Sequence, residues 1–163
     1  MIPVRVPIMD GTMDYRVPKA ELPVLLALAG TKPADYIVYL SPFSDRHDGA
    51  EKIDEYLNDS RLFLPVSLAG VRQIVSKDQM IWMRTPAPDG RGDERMVGSQ
   101  KRAVLEMSDG TRMEGDLRID RPDYQSRVSD VLNDVKERFV RMDRDGAAYF
   151  LNKSYIRLAL PAD

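Results

Sequence analysis

The chain has 163 residues, 43% hydrophobic and 31% charged, the composition of a soluble globular protein with one ordinary domain or two small ones. Its formal net charge is −2, and residues 101–163 hold as many basic as acidic side chains, so clustered positive charge for gripping a phosphate backbone is missing. The absence of cysteine excludes a disulfide scaffold, cysteine-ligated zinc, an iron–sulfur cluster and a thiol nucleophile.

The start of the chain, through Gly11, lacks the basic and apolar regions of a secretory signal, so the expected location is cytoplasmic, with no membrane partner. Val4-Arg5-Val6-Pro7-Ile8 alternates as a strand and runs into an Asp10-Gly11 turn, with Pro7 favouring an edge or a bulge. Pro18 to Gly30 reads as a short inserted helix stopped by its glycine. Leu22, Val24, Leu25, Leu26 and Leu28 make it apolar nearly all round, which requires burial in the core or against a partner. Leu22, Leu25, Leu26 and Leu28 are therefore the candidate partner-binding residues.

Tyr36 to Leu40 is a β-rich run, Ser41 to Ala50 a polar loop, and Glu51 to Leu57 a helical turn or two. Asn58 suits a left-handed C-terminal cap and Asp59 a restart. Three short strands at Leu62–Val66, Val71–Val75 and Met80–Arg84 complete a first module over residues 1–84. Residues 85–100, with two prolines and three glycines, form a linker. A second module spans 101–163: strands either side of Asp109-Gly110, a short helix around Ser129–Leu132, a hairpin at Asp145-Gly146, and a last strand at Tyr155–Leu160.

The two modules repeat one another. Asp10-Gly11-Thr12 returns as Asp109-Gly110-Thr111. Ile53, Leu57, Asn58 and Asp59 return as Val128, Leu132, Asn133 and Asp134. Phe63-Leu64, Gly70, Lys77, Met80 and Trp82 return as Phe139-Val140, Gly146, Lys153, Ile156 and Leu158.

Residues 103–120, with apolar alternation, Gly110 at a turn, Gly115 at a bend, then Leu117 and Asp120, resemble the first motif of Sm-like proteins, the Hfq RNA chaperones among them. Residues 149–156 look like the second Sm motif, where a strand ends in a tight helical turn. The whole pattern also resembles bacterial proteins built from tandem small β-barrels. The resemblance implies a mostly β fold: two tandem Sm/SH3-like small β-barrels with short helical insertions. In Sm rings that helical turn can face RNA, which would single out Asn152, Lys153 and Ser154, with Lys77 in the first module.

No catalytic constellation emerges. His47 is the one histidine, in a loop with Asp45 and Asp48 whose residues suit polar turns better than a metal site. Gly90, Gly92 and Gly98 lack the spacing of a phosphate cradle, and the Arg91-Gly92-Asp93 tripeptide reads as chance. Asn58-Asp59 and Asn133-Asp134 read as turns and caps, and Trp82 as core or module interface. The expectation is a non-enzymatic, cofactor-free and metal-free adaptor or scaffold that binds a protein partner or itself; Sm-like nucleic-acid binding is the alternative, opposed by the charge balance.

Overall fold

A computed structural model describes residues 19–44, 49–86, 99–119 and 127–161. The expected strand at 4–9, the Asp10-Gly11-Thr12 turn, the Asp45–Asp48 loop and linker residues 87–98 lie outside them.

The first half contains β1 (Ala20–Leu28), β2 (Ala34–Leu40), α1 (Ile53–Asn58), β3 (Phe63–Leu68), β4 (Val71–Ser76), a 3-10 turn at Lys77–Gln79 and β5 (Met80–Pro86). The second contains β6 (Ser99–Met107), β7 (Arg112–Ile119), α2 (Val128–Leu132), β8 (Phe139–Arg144), β9 (Ala147–Asn152), a 3-10 turn at Lys153–Tyr155 and β10 (Ile156–Pro161). The molecule is mostly β, as expected. The ten strands of the described residues belong to one antiparallel sheet, in the order β10-β6-β7-β8-β9-β5-β1-β2-β3-β4.

The Pro18–Gly30 helix is corrected to strand β1. The strand sits between β5 and β2, and both of its faces are covered. Val24 and Leu26 enter one core with Leu22 and Leu28 packed beside them, while Ala27 enters a second core with Leu25 and Ala29 against it. A run buried on both faces carries no period-two signal, so its hydrophobicity alone does not separate strand from helix. Pro23 is tolerated because β1 has only β2 as a neighbour there; pairing with β5 begins at Leu25. Gly30, at φ 85°, turns the β1–β2 hairpin rather than ending a helix.

With β1 in place the repeat runs through nearly every strand. Leu28 faces Met80 across a bulge, as Met107 faces Ile156 across a bulge. Val38 faces Val66 as Leu117 faces Met142, and Leu64 faces Val75 as Val140 faces Leu151. The hairpins at Ala69-Gly70 and Asp145-Gly146 both hold two successive residues at positive φ, the tight turn that matches strand twist. The turn equivalent to Gly110-Thr111 is Gly30-Thr31, which replaces the Asp10-Gly11-Thr12 alignment. The linker is shorter than its composition suggests, since Thr85-Pro86 and Ser99-Gln100 belong to β5 and β6.

Gly115 is required by proximity. A methyl at this position would lie 2.7 Å from the Asp143 carbonyl oxygen and 2.7 Å from Met142 Cγ on the neighbouring β8. Gly115→Ala should therefore cost about 1–3 kcal/mol by overpacking, read as a lower urea midpoint at unchanged slope.

Candidate interaction edges and the seam between the halves

Each half runs in the same spatial order: last strand, first, second, third, fourth. The halves meet where β5, the last strand of the first, pairs with β9, the fourth of the second. Trp82 faces Leu151, Met83 faces Phe150 and Arg84 faces Tyr149. Neighbouring side chains on these strands point to opposite faces, so the seam divides between two cores. Met83, Ala148, Phe150 and Phe139 join the core of the first half; Ile81, Trp82, Tyr149 and Leu151 join that of the second.

Polar contacts fasten the same seam. Asn58 Oδ1 accepts from the backbone N–H of Arg138 at 2.9 Å and of Phe139 at 2.8 Å, and its Nδ2 donates to the Phe139 carbonyl at 3.4 Å. Asn58 ends α1 without the left-handed cap expected of it; the following residue, Asp59, is extended. Its amide is a clamp between the halves, a role that local capping preferences could not reveal. Asn152 Nδ2 donates to the carbonyls of Met80 (2.8 Å) and Lys77 (3.2 Å), and Tyr155 Oη donates to the Asp78 carbonyl at 2.9 Å.

Among the described residues, the sheet leaves β4 and β10 as its two outer strands. Strand β4 carries neither proline nor lysine, the usual devices that blunt an edge, and its Arg72 guanidinium lies 4.8 Å from the Tyr39 ring centroid. Ile74 on β4 is 73% exposed, whereas its repeat counterpart Phe150 is 1% exposed inside the seam. Phe63, at the start of β3, is 58% exposed and its counterpart Phe139 only 2%. Leu62, Val71 and, on β10, Leu160 are also exposed. Apolar side chains thus line the outer edge at positions equivalent to those the seam covers.

The candidate partner leucines lie inside: Leu26 is fully buried, and Leu22, Leu25 and Leu28 pack against the two cores. The four residues singled out by the Sm resemblance fall in the two 3-10 turns and at the strand end before the second. Lys77 is 1% exposed, and its ammonium donates to the Asp59 carboxylate at 2.8 Å and the Asp59 carbonyl at 3.0 Å. Lys153 repeats the second contact, donating to the Asp134 carbonyl at 2.7 Å. Asn152 is buried and caps its turn by accepting from the Ser154 N–H, as Ser76 accepts from Asp78.

Burial lowers the Lys77 pKa, because its ammonium is stripped of water. Desolvation pushes Asp59 the other way, but hydrogen bonds from Arg61 and Lys77 outweigh it and hold the carboxyl below its ordinary value. The ion-paired geometry at 2.8 Å, with Arg61 at 2.6 Å on the other carboxylate oxygen, favours the charged form of Asp59.

A shallow cleft of about 380 Å³ is lined mainly by polar and charged side chains, Ser41, Ser44, Glu51, Glu55 and Arg61 among them. Among the described residues no group of three or more His, Asp or Glu is placed to hold a metal ion, and no helix is long and apolar enough to cross a membrane. No protein-family model, curated protein or solved structure matches the chain.

Proposed function

We propose that the chain is a non-catalytic protein-interaction module, an adaptor or scaffold, whose two halves are tandem small barrel-like units and whose working surface is the outer edge of the sheet. The carrying observation is Ile74: an isoleucine 73% exposed on an outer strand paired on one side only, at the position where the other half buries Phe150. Strand addition suits such an edge, with backbone hydrogen bonds supplying affinity and Val71, Ile74 and Phe63 supplying apolar contact. The four leucines of β1 support the fold in this reading, and the partner-binding role moves to β4.

Affinity capture from the native cell with the wild type and with Ile74→Lys tests it. The lysine should abolish protein capture while leaving circular dichroism unchanged, and co-purified nucleic acid should be negligible by absorbance ratio. Identical capture by both proteins would refute the edge as the working surface. The Sm-like nucleic-acid reading has weaker support, since the Lys77 and Lys153 ammonium groups are engaged by Asp59 and Asp134. With few counterions released per complex, RNA affinity should already be weak at roughly 50 mM salt and should fall only modestly towards roughly 200 mM. Sub-micromolar binding at physiological ionic strength would reverse the ranking.

A further inference from the structure

We infer that the partner of β4 is strand β10 of a second copy of this chain, so that copies join head to tail in the geometry that joins the two halves of one chain; this rests on the interaction reading above. The seam pairs the last strand of one half with the fourth strand of the other. The outer edges are the two strands left over: β10, the equivalent of β5, and β4, the equivalent of β9. One molecule therefore carries at its ends the two complementary sides of a contact it already makes in its middle.

The seam also fixes the register. Trp82 opposite Leu151, Met83 opposite Phe150 and Arg84 opposite Tyr149 translate into Leu158 opposite Val75, Ala159 opposite Ile74 and Leu160 opposite Gln73 of the neighbouring copy. This places Ile74 where Phe150 is buried, and brings the neighbour's second half over Phe63, as the first half covers Phe139.

Asn133 supplies an independent argument. It is the repeat counterpart of Asn58, which clamps the backbone of Arg138 and Phe139 across the seam. The residues equivalent to those two are Leu62 and Phe63, both exposed beside the outer edge. Asn133 is itself exposed, and its side chain makes no hydrogen bond among the described residues. In a head-to-tail pair it reaches the N–H groups of Leu62 and Phe63 on the next copy. Three features of the seam, its strand pair, its apolar cover and its asparagine clamp, thus recur together at the ends of the molecule.

Such a contact is heterologous, so each copy offers one head and one tail. The full-length wild type should show a mass above the monomer in size exclusion with light scattering, rising with concentration. Ile74→Lys removes the head, and Asn133→Ala with Leu160→Lys removes the tail. All three positions are exposed, and circular dichroism checks that the fold is kept. Asn133→Ala alone should weaken association about tenfold. Each edge variant alone should be monomeric, while an equimolar mixture should form a heterodimer through the one head and one tail left intact. A tail variant that still dimerises alone, or a mixture that stays monomeric, overturns the head-to-tail arrangement. A wild type that stays monomeric at every concentration, while its capture of another protein still depends on Ile74, overturns self-assembly and leaves the interaction reading standing. Loss of both would remove that reading too.

Discussion

Phe150→Ala is expected to destabilise the whole molecule by about 3–5 kcal/mol, although it lies in the second half and most of its core partners lie in the first. Phe150 is 1% exposed on β9, opposite Met83, in a core with Val24, Leu26, Tyr36, Val38 and Leu64. Removing the ring leaves a cavity that the seam can close only by shifting β9 against β5. The sole tryptophan, Trp82, sits on the opposite face of the seam with its ring centroid 5.7 Å from that of Tyr149, so its fluorescence reports the other core. Urea unfolding followed by that fluorescence should shift together with far-ultraviolet circular dichroism. A tryptophan transition left at its wild-type midpoint would show that the two cores are not coupled. Ile74→Ala, at the equivalent but exposed position, should change stability by less than about 0.5 kcal/mol.

Lys77→Met should cost about 2–3 kcal/mol at neutral pH, by removing one partner of a largely buried pair and leaving the Asp59 carbonyl without its ammonium donor. Arg61 remains on Asp59 and part of the carboxylate is solvated, which keeps the loss at the lower end of the range. The sign of the pH dependence follows from Asp59. Its folded pKa is depressed, so its contribution is complete above the ordinary carboxylate range and is lost as pH falls through the depressed value. The stability gap between wild type and variant should thus be widest near neutrality and shrink in acid, measured by urea midpoints from pH 7 to pH 2. Lys77 acts at the alkaline end. Its folded pKa is also lowered, so the wild type regains part of the burial cost as pH rises through it. A gap that does not change with pH would mean the charge pair contributes nothing beyond packing.

Most of the repeat is legible in the sequence, because it rests on residues with local jobs. Gly70 and Gly146 sit where hairpins need positive φ, and Lys77 and Lys153 donate to the equivalent carbonyls of Asp59 and Asp134. Strands β2, β4 and β5 were bounded by turn residues and read nearly to their ends. Strand β1 was not, because burial on both faces erased the alternation that distinguishes a strand. Pro18–Gly30 reads in sequence as an inserted helix without a counterpart, whereas its strand Ala20–Leu28 is the repeat of β6. The seam was invisible for a different reason. Which edge of one half meets which edge of the other is decided by packing between residues remote in sequence, and Asn58 showed only its generic preference for helix ends. Asn152 carried the same ambiguity: a polar residue at a turn, read for its resemblance to an RNA-facing position, is buried as a cap and a bridge to Met80.

Asn58 reaches Arg138 across 80 residues of chain, and that distance has a consequence for how the protein is made. The hairpins β1–β2, β3–β4, β6–β7 and β8–β9 close over short connections and form early. The β5–β9 contact must wait until both halves exist, which places it late in folding. Until then β5 presents Trp82 and Met83 as an unsatisfied edge. The β9 strand of a neighbouring nascent chain offers the same side chains in the same register, so two chains can exchange halves and reach nearly the same contacts. The yield of correctly closed molecules is then a race between intramolecular closure and chain density, set by the length of the linker and the rate of translation rather than by the stability of the finished fold.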